Sequence, residues 1–124
     1  MITAMAGADS ENRELCDAFQ KLIRETCNDP DLSIDWISRE LQIHRSTLHR
    51  IVTRQFGCSP QEFLISCRIQ TALRLLYETR KRIKEIAEAT GFRDQNYLTK
   101  TFLRRLGKTP SELRKERGAF RPDT

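Results

Sequence analysis

The stretch IKEIAEATGFRDQNYLTKTFLRRLGKTP, residues 83–110, decides the fold. Ile83, Ile86 and Ala87 fall on one face of a short helix, Gly91 supplies a turn, and Leu98 and Phe102 recur at helical spacing beyond it. Ala87 is small where a second helix must cross closely, and the turn follows four residues later. The pattern reads as helix, tight turn, longer helix. Working outward, the chain holds this pattern twice. In IDWISRELQIHRSTLHRIVTRQFGCSP, residues 34–60, Ile34, Ile37, Ser38 and Ile43 match Ile83, Ile86, Ala87 and Phe92 at an offset of 49. Leu48, Val52, Phe56, Gly57 and Pro60 match Leu98, Phe102, Leu106, Gly107 and Pro110 at an offset of 50. The change in offset falls between the matched helices, where a turn absorbs it. These matched positions are read as core-forming. Gln42 stands where the later copy has Gly91, so it must accept positive φ with strain or find another geometry.

The rest of the chain is helical too, with no alternating strand character. Leu15, Phe19, Leu22, Ile23 and Thr26 predict a first helix from about Glu11 to Cys27, stopped by Asn28-Asp29-Pro30. Ser33 caps a short helix carrying Ile34, Ile37 and Leu41 on one face. A third helix covers 45–55, with Leu48, Ile51 and Val52 inward. Ser59-Pro60-Gln61-Glu62 opens the longest helix, with a cap oxygen, a proline at the first helical position and an acidic first turn. Further helices are expected over 83–90, 95–106 and from Thr109-Pro110-Ser111-Glu112. The fold class is therefore all-α: two helix-turn-helix subdomains joined by a long linker helix, about seven helices in all. The expected organisation is a loose tail at 1–10, a first subdomain at 11–58, the linker at 59–79, a second subdomain at 80–117 and a fraying tail at 118–124.

Charge is unevenly spread. Residues 1–42 hold 4 Lys/Arg against 9 Asp/Glu, whereas 43–124 hold 18 against 8. A densely negative partner meeting the later segment fits this asymmetry, and nucleic acid leads. A solvated basic face, or a helical module meeting an acidic protein, is the competing reading; the acidic first helix (Glu11, Glu14, Asp17, Glu25) is a second candidate partner surface. No apolar run is long enough to span a membrane, and Met1–Ser10 lacks the features of a secretory signal. The four cysteines, 16, 27, 58 and 67, form no CxxC pair and have no histidine at ligand spacing. Reduced thiols packed as small hydrophobes are expected, with a redox pair such as Cys16 and Cys27 as the minor alternative. His44 and His49 point different ways on a helix, so no metal pair is expected. With no phosphate-cradling glycine loop and no nucleophile elbow, neither catalysis nor a cofactor is expected.

The candidate binding residues follow from the outward faces of the two longer helices. In the first copy these are Arg45, Ser46, His49 and Arg50. Arginine reaches the O6 and N7 of guanine through two parallel hydrogen bonds, and histidine or serine bonds a base or a phosphate. In the second copy they are Gln95, Asn96, Thr99 and Lys100, where the amides suit adenine and threonine suits a thymine methyl. Thr47, Arg54, Arg93, Arg104, Arg105 and Lys108 read as phosphate contacts, which set register rather than sequence. The long helix would span roughly 30 Å, close to the separation of about 34 Å between successive major-groove faces. One chain would then read two unlike half-sites, on an asymmetric target, with helices 45–55 and 95–106 in adjacent major grooves.

These residues resemble the DNA-binding region of the AraC/XylS family of bacterial transcription regulators. The resemblance runs from about Ser33 to Arg114. It is carried most strongly by Ile86-Ala87, Gly91-Phe92, Tyr97-Leu98, Lys100, Phe102, Gly107, Thr109-Pro110 and Arg114, with Arg68, Ala72, Leu75 and Leu76 similar to the family's linker helix. It implies seven helices in two lobes, both recognition helices facing promoter DNA, and activation through contact with RNA polymerase in the bacterial cytoplasm, at the nucleoid. It also implies a separate sensing or dimerisation domain, so the chain is either a small stand-alone regulator or the DNA-binding end of a longer protein. Lys100 departs from the family's usual arginine, Leu113 from its frequent aromatic, and Gln42 from a common turn glycine.

Overall fold

The computed structural model describes residues 2–118. Among these are seven helices and no strand: α1 (Ile2–Thr26), α2 (Ile34–Glu40), α3 (Arg45–Phe56), α4 (Pro60–Glu78), α5 (Ile83–Ala89), α6 (Gln95–Leu106) and α7 (Pro110–Gly118). The all-helical expectation holds, and the duplication is geometric as well as sequential. The helices α2 and α5 have 7 residues each, and α3 and α6 have 12 each. One boundary differs clearly. The first helix starts at Ile2, not near Glu11, so residues 2–10 are helical rather than a loose tail. Ala4, Ala6 and Ala8 favour a helix there, no proline interrupts it, and Gly7 alone costs only about 1 kcal/mol. The expected C-terminal tail lies outside the described residues from 119 onward.

The described chain divides into two compact units. One comprises α1 with Leu32–Ile65, and the other comprises Cys27–Asp31 with Ser66 onward. In the first unit Cys16, Phe19 and Ile23 of α1 pack with Ile34 and Ile37 of α2, Leu48 and Val52 of α3, and Leu64 of α4, all buried. Phe19, Phe56 and Phe63 form a tilted aromatic cluster with centroids 4.9–6.4 Å apart. Ile51, expected inward, is only half-buried. In the second unit Ile69, Ala72 and Leu76 of α4 pack with Ile86, Ala87, Phe92, Leu98 and Phe102. The repeat weakens at one matched position: Phe56 joins the aromatic cluster, whereas Leu106 is 41% exposed. Leu106, a core position by the sequence pattern, therefore lies at the surface.

Helix entry is set by repeated local chemistry. Ser59 Oγ accepts from the Glu62 amide at 3.1 Å while Glu62 Oε1 accepts from the Ser59 amide at 3.1 Å. Fifty residues later Thr109 and Glu112 make the same reciprocal pair at 3.1 and 2.9 Å. These capping boxes satisfy donors that each helix start leaves unpaired, with Pro60 and Pro110 at positions needing no N–H. Thr109→Ala should lower stability by about 1 kcal/mol in denaturant unfolding, and Thr109→Ser should keep most of it.

Candidate nucleic-acid interface

Each candidate reading helix is held by a turn that its own sequence builds. In the first unit the Ile43 amide donates to Ser38 O at 3.0 Å, and in the second the Phe92 amide donates to Ala87 O at 3.1 Å. Both bonds bridge a residue in the left-handed region, Gln42 at φ 58° and Gly91 at φ 87°. Gln42 therefore accepts the strained conformation rather than avoiding it, and the bond across the turn closes the preceding helix. Space explains the different residues. Gln42 faces solvent, but a Cβ at Gly91 would collide with the Cys27 carbonyl oxygen and lie 2.7 Å from Arg68 Nε.

That crowding reflects a feature the helical pattern did not disclose. Arg68 is buried, donating from Nε to Cys27 O at 2.8 Å and from Nη2 to Asp29 O at 2.9 Å. Burial acts against its charge and lowers its pKa. The residue is a bracket: it ties the segment between α1 and α2 to α4, beside the turn that launches α6. Arg114 plays a similar part at the other end of the unit, donating to the carbonyls of Leu76, Thr79 and Lys81.

The outward faces match the residue types read from sequence. On α3, Arg45, Ser46, His49 and Arg50 are exposed, and on α6 Gln95, Asn96 and Lys100 are exposed. Thr47 and Thr99 are half-buried. Neither helix contains an acidic residue. Leu48 and Val52, and Leu98 and Phe102, are the buried anchors that turn these faces outward. Asp94 caps α6 by accepting from the Tyr97 amide at 2.8 Å, and the Tyr97 ring meets Phe92 edge-on at 5.5 Å.

Several candidate cations have carboxylate partners. Arg45 pairs with Asp35 at 2.9 Å and Arg93 with Asp31 at 3.6 Å. Lys108 bonds Glu116, which raises its pKa. All three pairs are well exposed, so solvent screens them and each yields readily to a stronger anion. Arg54 is exposed and lines a shallow recess of about 170 Å³ with Asn12, Arg13, Ile51 and Gln55. Arg104 and Arg105 are exposed, the latter 3.4 Å from Ser66 Oγ. Arg80, Lys81, Arg82 and Lys84 add further exposed cations that no candidate set included. Their clustering was the available signal. No helix among the described residues is long and apolar enough to cross a membrane.

Comparison with known proteins places this architecture. A family model described as a helix-turn-helix domain matches residues 37–116. The transcriptional activator NphR of Rhodococcus sp. is 25% identical over 115 residues, covering 93% of this chain and 34% of NphR. The activator RhaS of Escherichia coli is 29% identical over 90 residues, covering 73% of this chain and 32% of RhaS. The chain thus spans about one third of the length of these relatives. Among solved structures, the DNA-binding domain of AdpA, in complex with a target DNA, superposes with a TM-score of 0.81 at 26% identity, covering 89% of this chain and 97% of that domain. With its duplicated units, capped helices and matching family model, the chain belongs to the AraC/XylS family of helix-turn-helix transcription regulators and carries that family's DNA-binding domain.

Proposed function

We propose that the chain binds promoter DNA sequence-specifically, laying α3 and α6 in adjacent major grooves to regulate transcription. The observation that carries this reading is the pair of 12-residue helices, each with an acid-free polar face opposite a buried apolar anchor pair. Solvated surface helices ordinarily mix both signs of charge, whereas a phosphate-lined groove disfavours acids. The solved complex of the related AdpA domain with its target DNA supports the same use of the fold.

Arg45, Ser46, His49 and Arg50 are the proposed base-reading residues of the first unit, and Gln95, Asn96, Thr99 and Lys100 those of the second. Thr47, Arg54, Arg93, Arg104, Arg105 and Lys108 are the proposed phosphate contacts. The 19 residues of α4 give a helix of about 28 Å, comparable with the groove repeat of about 34 Å. Arginine and histidine on one face against glutamine and asparagine on the other make the target asymmetric. The two activators NphR and RhaS support activation as the outcome; RNA polymerase as the contact and the bacterial nucleoid as the location are part of the same proposal. Their greater length supports a sensing or dimerisation domain acting with this one.

Selection of bound duplexes from a random pool, followed by footprinting, tests the reading. Two unlike boxes about one helical turn apart are expected; a single short box would limit base reading to one unit. Absence of any enrichment would overturn sequence-specific binding by this chain alone. Within the selected site, Arg50→Ala should cost about 1–3 kcal/mol and relax preference at one base position. Arg105→Ala should weaken all sequences alike and make the salt dependence shallower by about one phosphate. A position-specific effect of Arg105→Ala would reverse that assignment.

A further inference from the structure

Two cysteines forty residues apart in sequence meet in the second unit. Cys67 Sγ lies 3.2 Å from Cys27 Sγ and donates its hydrogen to it. Cys27 is buried on the segment that Arg68 brackets, and Cys67 is half-buried one residue before Arg68 on α4. The hydrogen bond from Cys67, aided by Thr71 and the Arg68 charge, brings the Cys27 thiol down to about 7. A thiolate is therefore present near neutral pH beside a second sulfur already in contact. The same segment ends at Asp31, whose carboxylate is 3.6 Å from the Arg93 guanidinium. Cys27 thus pairs with Cys67, a partner that spacing alone did not suggest.

We propose that Cys27 and Cys67 form a peroxide-oxidisable dithiol, and that closing it fastens Asp31 against Arg93 and removes one phosphate contact from the DNA-binding face. Ionisation first releases one proton from the pair to solvent. Because Cys27 is buried and Cys67 only half-buried, the shared proton passes to Cys27 and the Cys67 thiolate attacks a peroxide oxygen, breaking the O–O bond to give a sulfenic acid and a hydroxide. Cys27 next gives up its proton and attacks the Cys67 sulfur, expelling the second hydroxide. The two hydroxides take up this proton and the one released at ionisation, so the two thiols lose two electrons, hydrogen peroxide gains them, and two water molecules leave. The sulfurs need only close from 3.2 Å to about 2.05 Å. A dithiol reductant reverses the step by thiol–disulfide exchange.

Oxidised, the 27–31 segment is tied covalently to α4 as well as through Arg68. Asp31 is then held beside Arg93 and competes with phosphate for it. This second consequence rests on the proposed DNA binding, whereas the disulfide does not. The chain is treated with hydrogen peroxide, alkylated and mapped by fragmentation mass spectrometry. A Cys27–Cys67 crosslink is expected, lost in Cys67→Ser, retained in Cys58→Ser and reversed by dithiothreitol. Linkage through Cys16 or Cys58, crosslinking between chains, or sulfinic acid without a disulfide would overturn the dithiol.

The DNA arm uses a labelled random-sequence duplex. Oxidation should weaken binding and make the slope of log affinity against log salt shallower by about 0.9, and Asp31→Asn should abolish that difference. A mapped crosslink with an unchanged slope would overturn the coupling to Arg93. Failure of the untreated chain to bind any duplex would instead overturn the DNA reading, leaving the peptide map to judge the dithiol alone.

Discussion

Gly91→Ala is expected to destabilise the second unit by about 2–5 kcal/mol. Two costs combine. A residue with a Cβ at φ 87° gives up about 1–2 kcal/mol in the left-handed region. The added carbon also meets backbone, at the Cys27 carbonyl, and the Arg68 side chain at 2.7 Å. Overpacking of that kind adds about 1–3 kcal/mol, because neither neighbour is the free end of a flexible chain: Arg68 is pinned by its two carbonyls. Gly107→Ala provides the control. It has a similar φ of 76° with nothing within 4 Å of the added carbon, so only the conformational cost of about 1–2 kcal/mol applies. Urea unfolding of the two variants separates the contributions. Equal losses would show that crowding at Gly91 is relieved without cost.

Arg68→Ala should be of similar size, about 2–4 kcal/mol, for a different reason. Deleting the guanidinium strands two carbonyls and leaves a void beside α4. Each buried polar group left unsatisfied costs about 1–3 kcal/mol, tempered here because Asn28 and Asp29 are exposed and water can reach part of the segment. The buried charge offsets some of the loss, since burial already acts against it. Arg68→Lys should fall between, keeping the charge but not the planar fork that spans Cys27 O and Asp29 O. Hydrogen exchange supplies an independent readout. Protection should fall first over residues 27–31 and around the turn at Gly91, before the core of α6. Uniform loss across both units would show that Arg68 acts on global stability rather than as a local bracket.

Much of this was legible in the sequence, and the parts that were not share a cause. Periodicity exposes what repeats along one element, so the seven helices, the duplicated turn and the buried pairs Leu48/Val52 and Leu98/Phe102 could all be read. The matching Gly91 showed what the turn demands of Gln42, but the choice between left-handed geometry and another turn was decided only by the structure. Contacts between residues far apart in sequence leave no such trace. Arg68 reads as one of two arginines on α4, and its burial depends on two carbonyls about forty residues earlier. Cys67 reads as an ordinary apolar position, and nothing in its spacing marks Cys27 as its partner. The helical start at Ile2 was missed because the alanine-bearing segment offers no cap signal and no acidic first turn. Outward faces were legible by subtraction from the core, which says which residues are presented but not which base each would meet.

The bracket at Arg68 also governs how the protein can be taken apart. Residues 27–31 belong with Ser66 onward, although most of the other unit follows them in the chain. No single scissile point yields two complete bodies. A fragment ending within α4 carries five residues whose partners it lacks, and the complementary fragment keeps Arg68 and Gly91 with an empty seat between them. Vectorial synthesis meets the same order: the segment emerges early and waits for some forty further residues before its clasp exists. Adding a synthetic peptide that contains residues 27–31 to a fragment starting near Ser59 should therefore restore protection at the Gly91 turn, as complementation of a split protein does.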